Sequence, residues 1–146
     1  MPKKLVRLFG ISLILCFSLF QVATVWADDE THKLVIQISS NDLRAQETAL
    51  GNIVNVQKYY GMDNVEIELV AFGPGYRMLT PQSPLAARIS SLTLQDVTFT
   101  ACLNTLISVK EQTGIMPTLI EGVTTTQAGV PHIMELQEQG YSYVKY

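Results

Sequence analysis

Apolar and polar positions alternate between two periods along this chain, and the switch between them predicts the elements. Leu34-Val-Ile-Gln-Ile38 is a nearly continuous apolar run, as expected of a strand covered on both faces. From Ala45 to Tyr60 the spacing becomes helical: Ala49, Ile53, Val56 and Tyr60 share one face, with Leu50 and Val54 beside it. Gly61 stands where a helix cap is wanted. Val65 to Phe72 begins by alternating and ends fully apolar, which predicts a second strand whose carboxyl end is the deeper one. Ser83-Pro84 is an N-cap and N1 pair opening a short helix with Leu85, Ile89 and Leu92. Val97 to Ala101 is the third strand, and Leu103, Leu106 and Ile107 mark a helix ending at Gly114. Thr118 to Val123 is read as a fourth strand. Val130-Pro131 opens a last helix through Leu136 and Gln139, Gly140 closes it, and Tyr141 to Tyr146 is the fifth strand.

Repeated strand–helix units of this length predict an α/β fold: three layers, a mostly parallel five-stranded sheet, and helices on both faces, because each parallel crossover needs a helix to return the chain. No internal repeat or linker interrupts residues 28–146, which are read as one domain. Residues 1–27 read as a cleavable signal peptide. Lys3, Lys4 and Arg7 precede an apolar core from Leu8 to Phe20, and Val25-Trp26-Ala27 places small residues at the −3 and −1 positions of a cleavage site. The apolar run is short for a membrane span and is followed by Asp28-Asp29-Glu30. Cys16 lacks the small preceding residues of a lipid-attachment site. The expected product is an exported, periplasmic, soluble protein with no membrane attachment after cleavage.

Charge narrows the partners. The whole chain has ten Lys and Arg against thirteen Asp and Glu, a net −3. Residues 1–27 hold three of the basic residues and none of the acidic ones, so the remainder is more acidic still. No basic stripe is present, which excludes a nucleic-acid backbone as partner. There is no Gly-x-Gly-x-x-Gly or nucleotide-phosphate loop. His32 and His132 lie at no metal-ligand spacing, Glu66 and Glu68 read as the exposed side of a strand, and no cofactor is called for.

Beyond residue 27 one cysteine remains, Cys102, at the junction of the third strand and the following helix. Parallel sheets place their chemistry at the carboxyl ends of their strands, and a helix N-terminus favours thiolate over thiol. Cys102 is therefore the candidate catalytic residue; the alternative is a buried structural thiol. Four loops are expected at the same edge: Ser39 to Asp42, Gly73 to Arg77, Cys102 to Thr105, and Gly122 to Gly129 with its Thr124-Thr-Thr126 run. They supply candidate binding residues Asn41, Gly73, Gly75, Tyr76, Arg77, Asn104 and Thr105. Gly73-Pro74-Gly75 reads as a type II turn. Arg77, and after it Arg44, is the candidate cation for a thiolate or bound anion. Asn104 and Thr105 either orient a sulfur adduct or cap the helix.

The order of these segments resembles the DsrE/DsrF-like sulfur-relay family, whose members share the YchN-like fold. The resemblance lies in His32-Lys-Leu-Val-Ile-Gln-Ile-Ser39, Ala49-Leu-Gly-Asn-Ile-Val-Asn55, Val70-Ala-Phe-Gly-Pro-Gly75, Val97-Thr-Phe-Thr-Ala-Cys-Leu-Asn-Thr105 and Leu136-Gln-Glu-Gln-Gly-Tyr-Ser-Tyr143. It implies homotrimers or hexamers, and a persulfide carried on the cysteine that Cys102 matches, with a thiol-bearing protein or small sulfur compound as partner. Leu103 replaces a glycine and Phe72 a histidine common among relatives, and export is atypical of the family. Tyr59, Tyr60, Met62, Tyr76, Met78 and Leu79, near helix ends and loops, are the expected interface side chains. The sequence thus leaves two functions: an exported sulfur carrier with sulfurtransferase-like chemistry, or a non-catalytic oligomeric module binding a small ligand or protein.

Overall fold

A computed structural model describes residues 31–146; the signal-peptide reading lies outside them. The elements are β1 (His32–Ile38), α1 (Leu43–Tyr60), β2 (Val65–Ala71), α2 (Ala86–Thr93), β3 (Val97–Cys102), α3 (Leu103–Thr113), β4 (Thr124–Thr126), α4 (Gly129–Glu138) and β5 (Ser142–Lys145). A 3₁₀ segment, Gly73–Leu79, follows β2 and a shorter one, Met62–Asn64, precedes it. The sheet order is β4-β3-β2-β1-β5 and every adjacent pair is parallel.

This order decides where the helices lie. From β1 to β4 the chain steps in one direction across the sheet, and right-handed crossovers keep the intervening helices on one face. The step from β4 back to β5 runs the other way, so α4 crosses the opposite face. The core divides accordingly. Ile36, Ile38, Ile67, Leu69, Phe99 and Ala101 pack with Leu50 and Ile53 of α1, Ile89 and Leu92 of α2 and Leu106 of α3. Val35 and Val70, from the other side of the pleat, pack with Ile133 and Leu136 of α4 and with Tyr141. Cys102 shares this second face with Thr100 and Thr98, two and four positions before it in β3.

Local signals set the ends of the helices. Asp42 caps α1, its carboxylate accepting the Arg44 N–H at 2.8 Å. Gly114 ends α3 in the left-handed conformation, at φ +78°. Among the described residues no helix is long and apolar enough to cross a membrane.

Four expectations need correction. The fourth strand is Thr124–Thr126, not Thr118–Val123. The apolar residues of that earlier stretch serve the core: Ile120 is buried and its N–H bonds the Leu79 carbonyl at 2.9 Å, outside the sheet. Ser83-Pro84 precedes α2 in a turn instead of starting it. Gly73-Pro74-Gly75 is no type II turn but the start of a 3₁₀ segment. The positive φ, +51°, falls on Gly73, and Gly75 is glycine because a Cβ there would overlap the backbone carbonyl of Ile38. Finally, Met78 and Leu79 are buried in their own subunit's core and present no interface surface.

Candidate functional site

Cys102 ends β3 at the carboxyl edge of the sheet and occupies the N-cap position of α3, in an extended conformation (φ −75°, ψ 115°). It is 6 % exposed. Because α4 leaves β4 and crosses the same face, its first turn arrives beside the same sulfur. Burial pushes the thiol up, but four donors outweigh it: the backbone N–H and hydroxyl of Thr105, then the backbone N–H groups of Gly129 and Asn104, and the net result is a lowered pKa. Asn104 and Thr105 belong to the first turn of α3, and Gly129 is the first residue of α4. Two helix N-termini therefore converge on one sulfur, the arrangement that favours an anion.

Each donor is itself held in place. The Thr105 hydroxyl accepts the Gly73 N–H at 3.0 Å, which leaves its own proton free for the sulfur. The Asn104 side chain accepts from Gln127 Nε2 at 2.7 Å, and the Asn104 N–H is shared between the sulfur and the Gln127 carbonyl, 3.2 Å away. The same carbonyl lies 4.0 Å from the thiol. Neither Asn104 nor Thr105 caps its helix; both tie α3 to neighbouring loops. Gly129 has no room for a side chain, since a Cβ would stand 2.8 Å from the Phe72 ring. Phe72 thus packs against the first turn of α4 and supplies no base.

The binding residues read from sequence gather beside this cysteine, on the far side of Thr105. Asn41, Gly73, Tyr76, Arg77, Asn104 and Thr105 line a cavity of about 600 Å³. Gly75 is buried behind it against β1. A second hollow of about 560 Å³ shares Asn41, Tyr76 and Arg77. Arg77 is the one charged residue lining either hollow. Its guanidinium sits 6.0 Å from the Tyr76 ring centroid. Cys102 does not line the cavity. Thr105 joins the two, with its hydroxyl on the sulfur and its side chain at the cavity wall. Arg44 lies in the exposed first turn of α1.

Sequence reasoning missed Glu68. It is buried, not exposed, and bonds Thr100 and His132, while Glu66 faces solvent as expected. The partner that explains it stands 64 residues away in sequence, beyond the reach of a strand-alternation argument. Among the described residues no group of three or more His, Cys, Asp or Glu is placed to hold a metal ion.

No protein-family model matches the chain, and no curated protein is similar to it at a significant level. Solved structures are similar. The protein of unknown function MTH1491 from Methanobacterium thermoautotrophicum is 30 % identical, with a TM-score of 0.71 over 79 % of this chain and 99 % of that one. The ychN protein from E. coli matches with a TM-score of 0.62 at 13 % identity, over 80 % and 99 % of the two chains. BT1422 from Bacteroides thetaiotaomicron, a conserved protein of unknown function, matches at 0.58 and 16 % identity, over 82 % and 99 %. The last two show the fold, a YchN-like α/β sheet.

Proposed function

This chain belongs to the same family as the methanobacterial protein MTH1491, and on that premise we propose that it is an exported sulfur carrier holding sulfane sulfur as a persulfide on Cys102. The observation that carries the reading is the position of Cys102, at the N-cap of α3 and paired with Thr126 just before α4 begins, which brings two helix N-termini to one sulfur. The resemblance to DsrE/DsrF-like proteins, extending through Val97 to Thr105, points the same way.

The chemistry needs no cofactor. The Cys102 thiolate attacks the outer sulfur of a donor such as thiosulfate; the new S–S bond forms as the donor's own S–S bond breaks, and sulfite leaves with the electron pair. In the reverse sense, an acceptor thiolate attacks the outer sulfur of the Cys102 persulfide and releases the Cys102 thiolate. One neutral sulfur atom moves at each step, so no external oxidant or reductant is required. The same donors that hold the thiolate serve it as leaving group in the second step. The neighbouring cavity, with Arg77, Asn41 and Asn104 on its walls and no carboxylate among its lining residues, suits an anionic donor.

Native thiol titration tests this. Iodoacetamide is expected to modify Cys102 in the folded protein, with a rate that climbs through a pH midpoint below that of an ordinary thiol, because the thiolate is the nucleophile and the site favours it. One observation favours the second reading, a binding module with a structural cysteine: the side chain is only 6 % exposed. Modification confined to the unfolded chain would establish that reading instead.

We also propose assembly into a homotrimer or a hexamer of two trimers. Tyr59 (82 % exposed) and Met62 (57 %) remain on the surface, as expected of interface residues. Sedimentation velocity at micromolar concentration is expected to show a trimer or larger; one species at the mass of a single chain would reject it.

A further inference from the structure

The face of the sheet that carries Cys102 also carries a buried polar cluster that the chemistry above does not use. Glu68 Oε1 on β2 accepts the Thr100 hydroxyl at 2.5 Å and meets His132 Nε2 at 2.7 Å. The Thr100 hydroxyl lies 2.9 Å from that of Thr124 on β4. The Glu68 side chain is 11 % exposed and that of His132 is 24 %. A carboxylate so enclosed costs free energy unless it is bonded, and Thr100 and His132 supply those bonds.

Those partners close a ring through the site. Thr100 stands two residues before Cys102 on the same face of β3. His132 stands three residues after Gly129 on α4, one helical turn from the β4–α4 junction that pairs Thr126 with Cys102 and brings the Gln127 carbonyl to 4.0 Å from its sulfur. Otherwise α4 holds this face through the packing of Gly129 on the Phe72 ring and, further along its inner side, through Ile133 and Leu136. We infer that the Glu68–His132 pair is a latch that seats the first turn of α4 on Cys102, which makes both of them positioning residues for the thiolate. The charged and titratable groups around the latch are Glu135, whose Oε2 is 3.7 Å from His132 Nδ1 on α4, and on the sheet Glu66, paired with Lys33 at 3.9 Å, with the ring of Tyr141 5.6 Å from the Lys33 ammonium.

The latch rests on the reading of Cys102 as the reacting atom, but its test follows thiol ionisation and not sulfur loading, so either can fail alone. His132→Phe removes the bond to Glu68, whereas His132→Gln keeps an N–H donor at similar reach. In the full chain, the pH midpoint of iodoacetamide modification is expected to rise by roughly one unit in His132→Phe, the scale of one helix terminus, and to stay near wild type in His132→Gln. Equal midpoints in wild type and His132→Phe, or an equal rise in both variants, overturns the latch. Should His132→Phe fail to fold, Glu68→Leu breaks the same bond from the other end: its iodoacetamide midpoint must rise likewise, and a midpoint equal to wild type overturns the proposal.

Discussion

Gly75→Ala is expected to destabilise the protein by about 3 kcal/mol, from overpacking plus a strained sheet hydrogen bond. The added methyl would overlap the Ile38 carbonyl and stand 2.8 Å from its carbon and 2.9 Å from Cγ2. Ile38 is fully buried at the end of β1, and its carbonyl accepts the Phe72 N–H at 3.1 Å. It has nowhere to move. The relief has to come from the Gly73–Leu79 segment, which would carry the Gly73 N–H away from Thr105 and loosen a donor on Cys102. Thermal denaturation followed by circular dichroism is expected to show a melting point lower by about 10–15 °C, and the remaining folded protein a raised thiol midpoint. A melting point within about 2 °C of wild type would show that the turn yields, and that the close packing of this loop on β1 is not what holds it.

Cys102→Ser is expected to have the opposite profile. A serine hydroxyl occupies less volume than the thiol and accepts hydrogen bonds from the same N–H groups, so the cost in stability is at most about 1 kcal/mol. Sulfur loading, in contrast, disappears completely, because an alkoxide is not formed at neutral pH and no second cysteine lies among the described residues. Measured together, melting point and loading separate the two readings of this residue. A variant that loses its fold would show that the thiol was filling core volume, as a structural cysteine does.

Much of the architecture was legible in the sequence because burial on both faces makes parallel strands apolar throughout. Leu34–Ile38 stands out for that reason, and so does the carboxyl half of Val65–Phe72, after the alternation at Glu66 and Glu68. Cys102 was legible too, since the strand-to-helix junction places it at the carboxyl edge whatever the strand order. The fourth strand was not. Thr124–Thr126 is an edge strand with two of its three residues exposed, so its hydrogen bonds to β3 leave no apolar trace. Leu119, Ile120 and Val123 leave one without pairing. Hydrophobicity reports burial, and here burial and sheet pairing separate. The donors on the sulfur divide in the same way. Asn104 and Thr105 lie two and three positions after Cys102 and were visible. Gly129 reaches it only because β4 lies beside β3 and α4 crosses the far face, which depends on the complete strand order. The 64-residue separation of Glu68 and His132 hides that pair for the same reason.

The central claim is that Cys102 carries sulfur. Mass spectrometry of the folded wild-type protein after incubation with thiosulfate or with polysulfide tests it most directly. The account predicts a gain of one sulfur atom per chain, located by peptide mapping on the segment holding Cys102 and removed by a thiol reductant. An unchanged mass with both donors, in a protein whose Cys102 reacts with iodoacetamide only after unfolding, would contradict it.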